Sequence, residues 1–237
     1  MRGLFFFLAI GSSLILQGQI NFKKTTFGIH ALQFIPDNIL GNPLKIDENP
    51  DGFVIETRNI RSGGFGMGIK REFSGLLGFE IGLLVANKKF EIKVLNEDSN
   101  YVNTQNIKWL NFHVPLKARI RLKVVEKLDV YGVFGGSFVI LPTDLFLATE
   151  DYTMRVFRKS WLKTALEGGM GLTYYLGNGN HFEVEVGTHQ PFDRLGVGLF
   201  LPDTWRPQRL VNDFLSSLGY FRFSFYFHED SERIRRK

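Results

Sequence analysis

The amino-acid sequence predicts an all-β protein: an eight-stranded antiparallel up-and-down transmembrane β-barrel with short periplasmic turns and long outer loops. Three observations support this prediction. Apolar and polar residues alternate along most of the chain, the connectors between alternating segments are long and short in turn, and an apolar run follows the N-terminus. At 237 residues the chain is long enough for one barrel and needs no second domain.

The alternation is clearest near the C-terminus. Four phenylalanines at every second position, from Phe221 to Phe227, share one face of a strand, and Tyr, Arg and Ser residues occupy the other face. An apolar face opposite a polar one is typical of strands that cross a bilayer in a barrel. A content of 24 Phe with a mean hydropathy near zero excludes a helical membrane protein.

The connector lengths predict the orientation of the barrel. The predicted strands fall near 25–35, 63–73, 77–95, 105–123, 128–141, 161–176, 181–190 and 217–228. The connectors after the first, third, fifth and seventh strands are long, and the other three are short. Outer-membrane barrels have an even number of strands, short periplasmic turns and long outer loops. Both ends of the chain are therefore expected in the periplasm.

The chain ends are predicted to lie outside the barrel. Arg2 precedes an apolar run from Leu4 to Leu16, which is shorter than the roughly 20 residues of a spanning helix, so residues 1–18 are interpreted as a signal peptide. Residues 19–228 then form the barrel, and residues 229–237 form a charged periplasmic tail. The absence of cysteine excludes disulfides, thiolate metal sites and a cysteine nucleophile.

The alternation leaves open which face points inward. A soluble periplasmic eight-stranded barrel would hold the apolar face inside, around an apolar ligand. Three features favour a membrane barrel whose apolar face points outward to lipid. They are glycine on the polar face, strands of ten or more residues, and aromatic residues near the strand ends. Those aromatic residues are Phe73, Tyr131, Trp161, Tyr174, Tyr175 and Phe227. The first strand fits only if Leu32 and Phe34 lie above the membrane or beyond a bulge.

Two neighbouring strands carry a family resemblance. Phe112-His-Val-Pro-Leu-Lys-Ala-Arg119 followed by Val130-Tyr-Gly-Val-Phe-Gly-Gly-Ser137 resembles the PorT-like outer-membrane β-barrel family of Bacteroidetes, and so does Gly168-Gly-Met-Gly-Leu172. The resemblance covers residues 20–228. It implies an eight-stranded barrel in the bacterial outer membrane and, from some members, a part in protein secretion or gliding. Barrel chains commonly end on the aromatic residue of their last strand; this chain departs from that pattern because ten residues follow Phe227.

The polar faces of the predicted strands carry charges of opposite sign. Unpaired charges in a narrow interior are costly, so we expect ion pairs that plug the lumen; the alternative is an ion pathway. The predicted network consists of Glu80, Lys117, Arg119, Arg121, Asp129, Lys163, Glu183, Glu185 and Arg222. The three basic residues at 117, 119 and 121 are expected to pair with Asp129. Lys163 is expected to pair with Glu167, and Arg222 with the two glutamates at 183 and 185.

A hydrolase is the alternative function. His113, Ser137 and Glu167 are predicted to face inward at similar heights on neighbouring strands. A serine beside a histidine that a carboxylate orients is the arrangement used in acyl transfer, here for a lipid-modifying outer-membrane enzyme. No Gly-x-Ser-x-Gly signature accompanies it. The expectation is therefore a non-enzymatic protein.

Metal ligands are not apparent in the sequence. The five histidines have no ligand spacing, and we expect no metal and no cofactor. Four acidic residues of the first long connector have the oxygen atoms that calcium takes, but Asn-Pro-Asp-Gly at 49–52 is better explained as a turn. The four are Asp37, Asp47, Glu48 and Asp51.

Two outer regions are predicted to make contacts. The third and fourth strands continue past the apolar band as a protruding hairpin, which offers a strand edge. The last connector is apolar, and its candidate partner-binding residues are Leu199, Phe200, Trp205, Leu210 and Phe214. Alternatively this connector folds over the barrel mouth as a lid, with a short helix at 208–216.

Together these features predict a monomeric structural or interaction component. Its expected partners are outer-membrane lipid, the barrel assembly machinery and an envelope or secretion protein. The net charge of +5 arises partly from the tail, and basic residues alternate with apolar ones along the strands, so nucleic-acid binding is not expected.

Overall fold

The computed structural model describes residues 25–36, 45–48, 53–73, 75–96, 100–177, 179–193, 195–202, 210–214 and 218–228. Its strands are β1 Thr25–Pro36, β2 Lys45–Glu48, β3 Phe53–Glu72, β4 Leu77–Asn96, β5 Tyr101–Val125, β6 Leu128–Ile140, β7 Leu145–Ala148, β8 Tyr152–Arg158, β9 Leu162–Tyr175, β10 His181–Pro191, β11 Gly196–Pro202, β12 Leu210–Phe214 and β13 Leu218–His228. The predicted signal peptide and charged tail lie outside the described residues. Among the residues described, no helix is long and apolar enough to span a membrane.

Eight strands form a closed antiparallel ring. Its order is β1, β13, β10, β9, β6, β5, β4 and β3, and β1 pairs with β3 to close it. Closure pairs the backbone groups of every strand on both sides, which is what a sheet needs in lipid. The predicted eight-stranded barrel is confirmed, and each ring strand overlaps one of the eight segments chosen from the alternation.

The apolar face of the ring points outward. On β13, Phe221 and Phe223 are 40% and 43% exposed, whereas Arg222 between them is 1% exposed. The same alternation holds on β5, where Lys117 and Arg119 are buried and Ile120 is exposed. An apolar wall outside and charges inside fit a bilayer. The soluble alternative, with the apolar face around a ligand, does not fit this orientation.

Two of the aromatic residues assigned to the membrane interface lie inside the barrel. The Tyr131 ring is 1% exposed and lies 3.9 Å from the Arg119 guanidinium. The Tyr175 hydroxyl accepts a hydrogen bond of 2.7 Å from Arg121. Both tyrosines occupy inward positions of the period-two pattern, and the polar partners inside the barrel satisfy their hydroxyls or stack on their rings. The other four aromatic residues are exposed.

Leu32 and Phe34 also point into the barrel. β1 keeps an unbroken register with both neighbours, so no bulge turns these side chains outward. They are 8% and 2% exposed and pack with Leu84, Ala86 and Leu218. The expected bulge is therefore absent from β1, and the alternative position above the membrane stays a prediction. They form an apolar layer inside the ring, at its outer end.

The long connectors build a second apolar core beyond the ring. β3, β4 and β5 are 20, 20 and 25 residues long, although a tilted strand needs only about 9–11 residues to cross a bilayer. Their outer halves face a second sheet of order β12, β11, β8, β7, and together the two sheets form a small β-sandwich. The described core of this outer sandwich comprises Ile55, Phe90, Ile92, Val94, Ile107, Trp109, Val139, Leu141, Tyr152, Met154, Val156, Ala165, Leu195 and Phe200.

The last connector contains strands in place of the expected short helix. β11 pairs with β8 and with β12, which spans most of the segment from 208 to 216. Alternate residues of β11 enter the sandwich core, as Phe200 does at 1% exposure. The period of this segment is therefore two, and the short helix predicted for the lid is wrong.

Glycine is required where the ring strands approach most closely. A Cβ on Gly135 of β6 would lie 2.0 Å from the Leu116 carbonyl oxygen and 2.8 Å from the Lys117 Cα. Both atoms belong to the backbone of β5 and have no freedom to move aside. At Gly132 of the same strand, the nearest atom to such a Cβ is 4.0 Å away. The two glycines lie on the same strand, but only Gly132 has room for a side chain.

Gly135→Ala should destabilise the barrel by about 1–3 kcal/mol, the cost of overpacking. Gly132→Ala, its matched control, should remain close to wild type. The measurement is urea unfolding of protein refolded into lipid vesicles, with folded protein identified by its faster migration on unboiled gels. Equal stability of the two variants would contradict the close approach of β5 and β6.

Candidate functional site

The centre of the barrel contains a cluster of ion pairs around Arg222. Its guanidinium donates to both Glu80 and Glu185, with Nη2 2.5 Å from Glu185 Oε2 and 3.1 Å from Glu80 Oε2. The second amino group, Nη1, bonds to the other oxygen of Glu80. Arg222 enters from β13 and Glu80 from β4, so the contact joins strands on different sides of the lumen.

Arg119 of β5 makes the second set of bridges. Its Nη1 lies 2.7 Å from Glu80 Oε2 and 2.9 Å from Glu183 Oε2, while Nη2 lies 2.7 Å from Glu183 Oε1. The planar guanidinium thus holds Glu183 through two parallel bonds and shares Glu80 with Arg222. Charge-assisted hydrogen bonds therefore link four strands, β4, β5, β10 and β13.

Two lysines complete the cluster. Lys70 Nζ lies 2.7 Å from Glu183 Oε1, and Lys117 Nζ lies 3.0 Å from both Glu167 Oε2 and Glu185 Oε1. Within the described lumen, four cations and four carboxylates therefore neutralise one another. The eight residues, each at most 5% exposed, are Lys70, Glu80, Lys117, Arg119, Glu167, Glu183, Glu185 and Arg222. Buried charges are tolerated when they are paired and hydrogen-bonded in this way.

A smaller group lies at the periplasmic mouth. Arg121 Nη1 is 2.6 Å from Glu72 and 2.7 Å from the Tyr175 hydroxyl, and its Nε is 3.3 Å from Asp129. The Arg121 side chain is partly exposed, so water screens these bonds more than those in the centre. The group closes the short-turn end of the barrel.

Several predicted pairs are replaced by others. Lys117 and Arg119 bind glutamates across the lumen, and only Arg121 contacts Asp129. Glu183 contacts Arg119 in preference to Arg222.

Lys163 also has a different partner from the one expected. It pairs with Asp193 at 3.3 Å, whereas Glu167 binds Lys117. The predictions considered neighbours along the sheet, but in a narrow closed ring the opposite wall is equally near. Curvature therefore explains the pairing of Lys117 with Glu167, whereas Asp193 lies just beyond β10 and reaches Lys163 from the neighbouring strand.

Lys70 and Glu72 of β3 form ion pairs inside the barrel that the sequence did not lead us to predict. Both occupy the glycine-rich face of the strand, opposite Met67 and Ile69, which are exposed on the lipid side. The period-two pattern of residues 65–72 could have identified them, because it places every even-numbered residue inside. His181, which lies 2.5 Å from Lys70 Nζ, belongs to the same group.

The proposed hydrolase residues do not form a triad. Ser137 is buried, but its hydroxyl makes no hydrogen bond to any described residue. Glu167 binds His189 at 3.2 Å, and His113 bonds to Asn111. His113 and Glu167 do lie close together, in a cluster with His189. The serine therefore lacks the histidine base that acyl transfer requires.

The candidate partner-binding residues fall in different environments. Phe200 lies in the core of the outer sandwich, where it cannot contact a partner, while Leu199 lies on the opposite face of β11. The side chains of the other three candidates, at 205, 210 and 214, are outside the described residues, as are those of the four acidic residues considered for calcium.

Burial, together with nearby Tyr101 and Asp151, raises the pKa of Tyr152 in the sandwich core to about 12.

The outer face of the second sheet is the exposed apolar surface of the sandwich. Phe146 and Phe157 are 63% and 44% exposed; the register pairs Phe157 with Val197, and it places Arg155 between Phe146 and Leu199. Arg155 lies among them, with its guanidinium 5.5 Å from the Phe146 ring. We call this patch the outer apolar face; an exposed apolar patch is typical of a contact surface.

Comparison with known proteins supports the fold. No protein-family model and no curated protein sequence matches the chain. Among solved structures, the outer membrane protein OprG from Pseudomonas aeruginosa matches with a TM-score of 0.55 and 16% identity, covering 87% of this chain and 98% of that one. The β domain of the Bordetella autotransporter BrkA matches over 86% of this chain and 98% of that one, at 9% identity. Its TM-score of 0.36 is too low to support a conclusion about the fold. The fold is that of an outer-membrane β-barrel.

Arg222→Leu should destabilise the barrel by about 3–5 kcal/mol, because it leaves Glu80 and Glu185 without their main counter-charge in the interior. The matched control is Arg58→Leu, which removes an exposed arginine paired with Glu91 at 2.6 Å and should cost no more than about 1 kcal/mol. Urea unfolding in lipid vesicles measures both. Similar losses in the two variants would contradict a closely coupled central network.

Proposed function

We propose that the protein is a non-enzymatic outer-membrane β-barrel that acts as a structural or interaction component. The observation that carries the proposal is the filled lumen. Four ion-paired cations and four carboxylates occupy the middle of the ring, and an apolar layer with Leu32 and Phe34 lies above them. An eight-stranded ring has room for side chains and for little else. Its apolar outer wall supports a location in the outer membrane, in contact with lipid.

The closed lumen leads to a prediction on transport. The purified protein should give no single-channel conductance in planar bilayers, because the paired charges and the apolar layer leave no continuous aqueous path. An open porin added to the same bilayers is the positive control. Reproducible conductance steps from folded protein would contradict the closed lumen and restore the ion pathway as the function of the charged residues.

The outer sandwich is the part proposed to bind a partner. The outer apolar face presents Phe146, Phe157 and Leu199, whereas the outward face of the opposite sheet carries salt bridges such as Arg58–Glu91. Contacts between proteins concentrate on apolar and aromatic residues with few charges. The face with the phenylalanines is therefore suited to contact a protein partner of the cell envelope, whereas the charged face is suited to remain exposed to water.

A role in protein secretion or gliding is proposed from the resemblance to the PorT-like family. Some members of that family serve protein secretion or gliding, and a closed barrel with an elaborated outer end suits an accessory that anchors or positions another protein. The barrel assembly machinery is a second expected partner, since it inserts closed barrels into the outer membrane. Neither role requires an enzymatic site or a cofactor.

Leu199→Glu should abolish crosslinks to the envelope partner in living cells and reduce secretion, because it places a charge on the outer apolar face. Lys93→Glu, on the charged face of the other sheet, is the matched control and should leave both unchanged. Crosslinked products are compared by mass spectrometry. An identical set of partners in the two variants and wild type would exclude the outer apolar face as the contact surface.

A further inference from the structure

Three basic residues lie together on the outward face of the sheet, just beyond the apolar band of the ring. Lys89 of β4 is directly opposite Lys108 of β5, and both lie on the outward face of their strands. Arg61 of β3 lies beside Lys89, because the register pairs the preceding residue, Ile60, with that lysine. Neighbouring strands are about 4.8 Å apart, so the three residues span roughly 10 Å across the sheet. We call Arg61, Lys89 and Lys108 the outer basic patch.

A β-bulge turns Arg61 towards the outside. The register of β3 with β4 shifts within residues 60–63, where Arg61 and Ser62 together oppose Lys88. Before the bulge the even-numbered residues of β3 face outward, as the exposed Arg58 does. After it the pattern is reversed, so Arg61 is exposed and Ser62 is buried. The bulge therefore adds a third cation to a face that has two, which is a known use of bulges.

The outer basic patch keeps its positive charge. The two lysines of the patch are directly opposite each other, an arrangement in which like charges repel. The described carboxylates of this face are engaged farther out. Glu91 is bound by Arg58 at 2.6 Å, and Glu56 by Lys93 at 3.7 Å. In the part of the chain that the structure describes, no carboxylate forms an ion pair with the patch, so the patch attracts anions.

An apolar groove lies below the patch, on the lipid-facing wall of the ring. Ala31 of β1 pairs with Phe223 on one side and with Phe65 on the other, so a small side chain lies between two large rings. Phe65 in turn pairs with Val85 of β4. The groove has a volume of about 450 Å³ and is lined mainly by apolar side chains. We call it the Ala31 groove; since it opens to the hydrocarbon of the bilayer, an acyl chain is the ligand that suits it.

The groove and the patch are continuous along β3 and β4. Val85 and Lys89 are four residues apart, which is about 13 Å along the strand and about 10 Å along the membrane normal at a tilt of about 40°. Gly63 and Asn87 form the pair between them, and the glycine leaves the surface there open. The headgroup layer of a bilayer is about 5–7 Å thick on each side, and a flexible lysine stem bridges the remaining distance. The cations therefore lie at the height of lipid headgroups whose chains enter the groove.

We propose that the outer basic patch and the Ala31 groove form one binding site for a phosphate-bearing lipid of the outer leaflet. The phosphate groups contact Arg61, Lys89 and Lys108, because guanidinium and ammonium groups donate charge-assisted hydrogen bonds to phosphate. One acyl chain lies in the groove. A second copy of the chain would bring the same cations against each other, so charge complementarity favours the lipid. The site rests on the proposed contact with outer-membrane lipid and requires no protein partner.

The test uses full-length protein refolded into detergent micelles and mixed with bis-phosphorylated lipid A. Native mass spectrometry counts the lipid molecules that remain bound when the micelle is removed. Wild type should retain one molecule of lipid A and little of the same lipid without its phosphates. Lys89→Gln/Lys108→Gln should weaken retention about 30-fold, since each cation near a lipid surface contributes about fivefold. Ala31→Phe should also weaken it, because the new ring fills the groove.

The matched control is Lys123→Gln/Lys127→Gln, which removes two exposed lysines at the short-turn end of the barrel and should leave retention unchanged. Only protein with the heat-dependent gel shift is measured, so loss of the site is distinguished from loss of the barrel.

Two results would overturn the proposal directly. One is equal retention of phosphorylated and phosphate-free lipid by wild type, which decides the matter without any variant. The other is equal retention of lipid A by wild type and the Lys89→Gln/Lys108→Gln variant. Retention that inorganic phosphate abolishes and that Ala31→Phe leaves unchanged would indicate a site for a soluble anion, and it would overturn the lipid assignment as well.

Discussion

Closure of an eight-stranded ring is the constraint on which the other features of this protein depend. In lipid, each backbone N–H and C=O must find a partner within the chain, and a ring provides one on both sides of every strand. A ring of eight strands is narrow, so its interior must be filled by side chains. Glycines such as Gly135 permit the closest approaches, and Arg222 and its neighbours fill the remaining space with paired charges.

The protein has two cores of opposite chemistry on the same strands. The inward face of β4 carries Glu80 in the lumen, then Leu84 and Ala86 in the apolar layer, and then Phe90 and Ile92 in the outer sandwich. Where lipid surrounds the ring, the apolar residues face outward and the charges face inward. Beyond the ring, water surrounds the sandwich and apolar residues face inward. The inward-facing side chain therefore changes in character as the surrounding solvent changes.

The period of two was enough to predict the eight ring strands and the face that points inward, but it was not enough to predict contacts across the lumen. It places Lys117 and Glu167 inside without showing that they meet, because curvature and stagger determine which residues face each other. The same limitation hid the cluster of His113 and His189, which lie on strands that are not neighbours. The sandwich was missed because its strands were interpreted as loops. Tyr131 was misplaced because tyrosine suits both a membrane interface and a polar interior.

The pairing of the first and last ring strands has a consequence for biogenesis. His30 on β1 bonds to Ser224 on β13 across 194 positions of the sequence, so this junction can form only after nearly the whole chain is available. Until then, the ring strands have open edges and rows of exposed phenylalanine, which favour aggregation. Ring closure must therefore wait for the last strand, and the risk of aggregation is greatest in the aqueous compartment that the unclosed chain crosses before it reaches its membrane.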